Sequence, residues 1–219
     1  MFDLVLEGGH VANPGGPVPL DVAVLGGKIA AIGLPGTLGA RADTMQLDGL
    51  LLVPGGVEPH VHAGHPLVSP RDGSAFFGGG PMELSRAAIY GGTTTLIDFA
   101  RIPPGGPIWP VVEEQKAVWS GQSFCDHSFH VWFHGDVTDD QLAEVPDVVA
   151  KGFPSFKVFT TDGLPSRRGR KVNMGSLLEL MGKVAEHGGV IAVHGEDDDL
   201  VMHTYEKLVR EGNTDRWRN

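Results

Sequence analysis

The sequence predicts an α/β fold of about five β-α units behind a small all-β module. Three observations carry this. After residue 55, apolar runs of strand length alternate with segments of helical period. Those strand runs are almost continuously apolar, as in parallel strands covered on both faces. The first fifty residues hold only short strand-like segments punctuated by glycine pairs.

In chain order, "FDLVLEGGHVAN" reads as a strand, a Gly-Gly turn and a second strand. "DVAVLGGKIAAIG" repeats that hairpin form, and "TMQLDGLLLVPGG" adds a further pair of short strands. The boundary falls at residues 54/55. Beyond it the expected strands are "GVEPHVH", "TTTLIDFA", "CDHSFHVWFH", "PSFKVFTT" and "GVIAVHGE". The expected helices lie near 81–90, 110–120, 139–150, 175–187 and 198–211. Leu177, Leu178, Leu180, Met181, Val184 and Ala185 recur at helical spacing in the fourth. The fifth opens on Asp197, Asp198 and Asp199 and closes on Lys207 and Arg210 before Gly212, a charge order that suits the helix dipole. Residues 55–219 fall short of the roughly 250 that a complete (β/α)8 barrel takes. A doubly wound open sheet and part of a barrel both remain open on this reading, and the closing "TDRWRN" supplies no closing element.

Composition narrows the function. The 219 residues carry a formal net charge of -10, which argues against nucleic acid and anionic membrane surfaces. Cys125 is the single cysteine, so no intrachain disulfide forms. The N-terminus lacks the basic start and apolar core of a signal peptide. No apolar run approaches the roughly 20 residues that span a bilayer. A cytoplasmic protein is expected.

The chemistry concentrates at "VEPHVHAGHP", residues 57–66. In a strand, Glu58, His60 and His62 share one face. Two neutral imidazoles at i and i+2 suit zinc or a similar ion; two histidines capping a strand is the competing reading. Lys157 lies within "SFKVFTT", between Phe156 and Val158. An ammonium buried there is costly, so its pKa is expected to fall, unless the side chain snorkels from an edge strand. A neutral lysine can form a Schiff base or carry a metal-binding carbamate. His194 ends "VIAVH", at the strand end where ligand sites collect in both α/β architectures.

Together, "VPGGVEPHVHAGHP", "GGTTTLIDFA", "SFKVFTTD" and "VHGEDDDL" resemble the amidohydrolase superfamily, in its dihydropyrimidinase/hydantoinase/allantoinase branch. The resemblance implies a partial TIM-like (β/α) barrel over residues 55–219 and the N-terminal part of a β-sandwich over residues 1–54. It implies two divalent ions, zinc first. His60 and His62 would bind one, His194 the other, and Lys157, as a CO2-derived carbamate, would bridge them. It implies metal-dependent hydrolysis of C–N bonds in small cyclic amides and a homo-oligomer in the full-length form. Family members usually have Asp where this chain has Glu58, and Tyr where it has Asp162, which becomes the candidate substrate-binding residue. The family's last metal histidine and its general-base aspartate are expected beyond residue 219. No catalytic base is therefore assigned, and the chain alone is expected to be inactive. A non-catalytic dihydropyrimidinase-like scaffold is the alternative.

Other residues carry weaker signals. His65 completes HxHxxH, but Gly64 stands where the metallo-β-lactamase motif needs Asp. His130 reads as a core histidine. "SRRGRK", residues 166–171, reads as a solvated loop or as a contact for an anionic substrate. Cys125 reads as structural.

Overall fold

The computed structural model describes residues 1–68, 74–164 and 167–214, so Ser166 and residues 215–219 lie outside the described residues. The chain forms two compact units, Met1–Gly55 and Gly56–Asn219.

The first unit has seven strands: β1 (Phe2–Glu7), β2 (His10–Val11), β3 (Val18–Pro19), β4 (Asp21–Leu25), β5 (Lys28–Gly33), β6 (Arg41–Gln46) and β7 (Leu51–Leu52). They build two sheets, in the orders β5-β4-β1-β6 and β3-β2-β7. The β4–β5 hairpin forms as expected. The hairpin expected from "FDLVLEGGHVAN" does not. β1 pairs with β4 and β6, whereas β2 pairs with β3 and β7. The reason lies at the glycine pair. Gly8 turns the chain at φ +74, and Gly9 lies so close to Leu47 that a Cβ there would meet Leu47 Cδ1 at 2.6 Å. Segment 41–52 therefore runs parallel alongside both strands as the chain passes from one sheet to the other.

The second unit contains β8 (Gly56–Glu58), β9 (Pro66–Val68), β10 (Ala75–Phe77), α1 (Pro81–Tyr90), β11 (Thr93–Ile102), α2 (Ile108–Trp119), β12 (Asp126–Phe133), α3 (Asp139–Ala150), β13 (Ser155–Phe159), α4 (Met174–Glu186), β14 (Val190–His194) and α5 (Asp198–Arg210). Five strands form one sheet, ordered β14-β13-β12-β11-β8, with every pairing parallel. Each crossover advances to the next strand in one direction. A doubly wound sheet reverses direction at a switch point, so this is a half-barrel.

Two local departures have visible causes. β8 stops at Glu58 because the Glu58 carboxylate accepts the His60 N–H at 2.9 Å. His60 and His62 therefore lie beyond the strand rather than in it, although Val61 N–H still donates to the Ile97 carbonyl at 3.1 Å. Helix α2 starts at Ile108, two residues early, because the Glu144 carboxylate, far along the chain, accepts the N–H groups of Ile108 and Trp109. The other caps are local: Thr138 and Gln141 form a capping box on α3, and Asn173 and Asp197 cap α4 and α5.

The strands sort their residues by period two. Leu96, Ala100, Ile102, Phe129, Val131, Phe133, Phe156 and Val158 pack with Val112, Trp119, Val145, Val148, Leu180 and Val184 of the helices. That core fixes the sheet and leaves the alternate residues on the other face. No helix among the described residues is long and apolar enough to cross a membrane.

Candidate functional site

The face opposite the core is unusually rich in chemistry for a barrel interior. Parallel register places Arg101 beside Trp132, Trp132 beside Lys157, and Lys157 beside Ala192. Phe99 lies beside His130, and Phe159 beside His194. Ring contacts knit these rows together. His60 and His62 both pack on Phe99, at 4.8 and 4.7 Å between ring centroids. Trp132 packs on Phe159 at 5.4 Å, and His194 stacks on Phe159 at 4.6 Å.

The four residues expected as metal ligands lie around one sheet face, His60 and His62 beyond the end of β8, Lys157 in the middle of β13 and His194 at the end of β14. Among the described residues, however, His60, His62 and His194 do not form a group with ligand atoms within 4.8 Å of one another. The His60 and His62 rings meet edge-on at 5.1 Å. Burial, and then the charge of Lys157, hold His60 below the usual histidine pKa. Burial, reinforced by His60 and Arg101, lowers His62 to about 4 although the residue keeps a solvent-facing side. Both are therefore neutral near pH 7, the state that ligates metal. Lys157 is only 7% exposed, and burial lowers its pKa. No carboxylate pairs with it among the described residues; its Nζ rests 4.9 Å from the Phe159 ring. His194 differs, because its Nε2 already meets Glu196 Oε2 at 2.8 Å. The donor chemistry suits a divalent ion: two neutral imidazoles beyond β8, a third imidazole at the end of β14 on the opposite edge of the sheet, and a buried amine whose pKa burial lowers.

A tighter cluster arises where the sequence offered little. Among the described residues, His62, His65 and Asp98 bring potential ligand atoms within 4.8 Å of one another. Arg101 fills that position with charge. Its Nη2 donates to His65 Nδ1 at 2.8 Å, so the proton of neutral His65 sits on Nε2, 4.0 Å from Asp98 Oδ1. Burial and the Arg101 cation lower His65 to about 4. Asp98 is fully buried and accepts from Gln115, Trp119 and the Ala63 N–H. This trio is a structural network around an arginine, not an open cation site.

Two further residues have defined roles. His130 Nε2–H donates to the Pro59 carbonyl at 2.7 Å, and its Nδ1 accepts from Ser155 Oγ at 2.6 Å. That fixes the backbone just before His60 and makes His130 a positioning residue. Asp162 turns inward on its own loop: its Oδ1 accepts the N–H groups of Arg170 and Lys171, each at 2.9 Å. Only the folded register reveals either role.

No family model matches the chain. Over 213 residues it is 29% identical to a D-hydantoinase of Rhizobium radiobacter, covering 97% of this chain and 44% of that protein. A D-hydantoinase of Geobacillus stearothermophilus is 31% identical over 196 residues, covering 89% and 39%. Among solved structures, the dihydropyrimidinase from Brevibacillus agri NCHU1002 superposes with a TM-score of 0.84 at 26% identity, covering 98% of this chain and 44% of that one. The chain spans about two fifths of the length of the curated relatives it matches. The likeness is to their N-terminal portion, in accord with the amidohydrolase resemblance of the sequence.

Proposed function

Starting from that kinship with D-hydantoinases and dihydropyrimidinases, we propose that this chain supplies metal-binding strands of a hydrolase that opens C–N bonds in small cyclic amides. The observation that supports it most is Lys157, 7% exposed and without an acid partner among the described residues, on the sheet face whose Phe99 carries the rings of His60 and His62 and whose Phe159 carries that of His194. In this reading His60 and His62 hold one divalent ion and His194 the other, with zinc the first candidate. Lys157 would contribute a further ligand as a CO2-derived carbamate. When bound, the metal pair polarises the scissile amide carbonyl and acidifies the attacking water. The protein's own contribution is placement. Glu58 and His130 fix the backbone around His60, Phe99 supports both imidazoles, and Phe159 lies against the Lys157 ammonium while backing His194. Nothing favours the scaffold alternative, since every ligand-type residue expected within residues 1–219 is present.

Metal content tests the reading. The chain, loaded with zinc and dialysed, should retain metal that the double variant His60→Ala, His62→Ala loses. Equal retention by both would refute it.

A further inference from the structure

Trp132 is 3% exposed, and its Nε1–H has no acceptor among the described residues. Two more buried nitrogens beside it have no hydrogen-bond partner among the described residues, Arg101 Nε and His134 Nε2. The His134 ring lies 4.4 Å from the Trp132 ring, and the Arg101 guanidinium carbon lies 4.9 Å from it. A second guanidinium, that of Arg170, sits 5.5 Å from the same ring and 5.3 Å from Phe159. Neither arginine has an ion pair among the described residues. Buried donors without acceptors are rare and costly in folded proteins, and here two, Trp132 Nε1–H and Arg101 Nε–H, lie together beside the unpartnered His134 Nε2.

The acids nearby do not answer them. Asp98 is committed to Gln115, Trp119 and Ala63, and the Asp162 Oδ1 to the backbone of Arg170 and Lys171. A cavity of roughly 290 Å³ is lined by His134 and Arg170, with Arg101 and Trp132 adjoining rather than lining it, and its charged lining, Arg167, Arg168 and Arg170, is entirely cationic. This occurs in a chain of net charge -10. The loop bearing Arg170 is held in advance, by Asp162 and by the Gly135 N–H, which donates to the Arg170 carbonyl at 3.1 Å.

We propose that Arg101, Trp132, His134 and Arg170 form an anion subsite for a carboxylate carried by the substrate. His65 engages the Arg101 Nη2 edge, which leaves the Arg101 Nε–H, the Trp132 N–H and the planar Arg170 guanidinium, resting on Trp132 and Phe159, as the donors for a planar carboxylate. The subsite adjoins the candidate metal ligands: Trp132 stands in register with Lys157, and its ring is 6.1 Å from that of His62. The substrate class is then a cyclic amide with a short acidic arm, an inference that rests on the function proposed above.

Calorimetric titration of the full chain with three probes separates the two ideas. Carboxymethylhydantoin should bind roughly tenfold to a hundredfold tighter than methylhydantoin, the difference that charge-assisted hydrogen bonds supply. Arg170→Gln should bring that ratio towards one. Trp132→Phe, which keeps a ring but removes the N–H, should reduce it, and an unchanged thermal midpoint would show that each variant folds. Succinate should bind with the same dependence on Arg170. Arg170-dependent succinate binding without binding of either hydantoin keeps the subsite and removes the cyclic-amide reading. Equal binding of both hydantoins, with none of succinate, overturns the subsite and leaves that reading. Binding of none of the three overturns both.

Discussion

The inner strands β12 and β13 and the outer strands β8 and β14 belong to one sheet, yet they hold similar residues in opposite surroundings. Val158 on β13 is fully buried, whereas Val190 on β14 is 61% exposed. The difference is neighbours. β13 has a strand on each side, while β14 has one paired edge among the described residues. The site inherits this contrast. Lys157 comes from the buried centre, and its environment is set by packing. His60 and His62 follow one outer strand and His194 ends the other, so caps and ring contacts hold them instead.

The sharpest way to break the contrast is at its core. Phe156→Ala on β13 should cost about 3–5 kcal/mol, from lost burial and the cavity left behind. Val190→Ala should stay within about 0.5 kcal/mol. Urea unfolding of both variants measures this, and similar losses would erase the distinction between centre and edge.

Asp98→Ala should follow, costing about 3 kcal/mol, because it leaves the buried Trp119 N–H and Gln115 amide without their acceptor. Glu196→Ala, which removes an exposed partner of His194 at the edge, should cost less than about 1 kcal/mol. Thermal unfolding of the pair compares them directly.

A further effect, smaller than the losses at Phe156 and Asp98, is a pH dependence at the end of β12. Burial, with Arg170 and Arg101 nearby, lowers His134 to about 4 from 6.5. Between those values the unfolded chain binds the proton and the folded chain does not. Stability is therefore complete above pH 6.5 and declines as pH falls towards 4. With allowance for partial exposure, His134 accounts for about 1–2 kcal/mol of that decline. His134→Gln should flatten the urea-derived stability profile in that window; an unchanged slope would place the dependence on other histidines.

Much of the second unit was legible because period and punctuation coincide with structure. Helix 81–90 falls at Pro81–Tyr90, and strand "PSFKVFTT" centres on Ser155–Phe159. Burial of Lys157 was legible too, since its neighbours are apolar on both sides. What stayed hidden depends on partners distant in sequence. Glu144 moves the start of α2, Leu47 packs closely on Gly9 where the chain leaves β1 for β2, and Arg101 occupies the His65–Asp98 cluster. "SRRGRK" could not declare its role, because that depends on Trp132 presenting a ring to Arg170.

Lys157 joins the buried centre to the proposed chemistry, so its modification is the most direct measurement. The chain should be incubated with zinc and isotopically labelled bicarbonate and examined by carbon NMR, beside Lys157→Ala. A carbamate signal in the parent chain, lost on acidification and absent from the variant, is the predicted result. An identical spectrum from both proteins, with Lys157 behaving as a free amine, would contradict the assignment of this face as a metal centre.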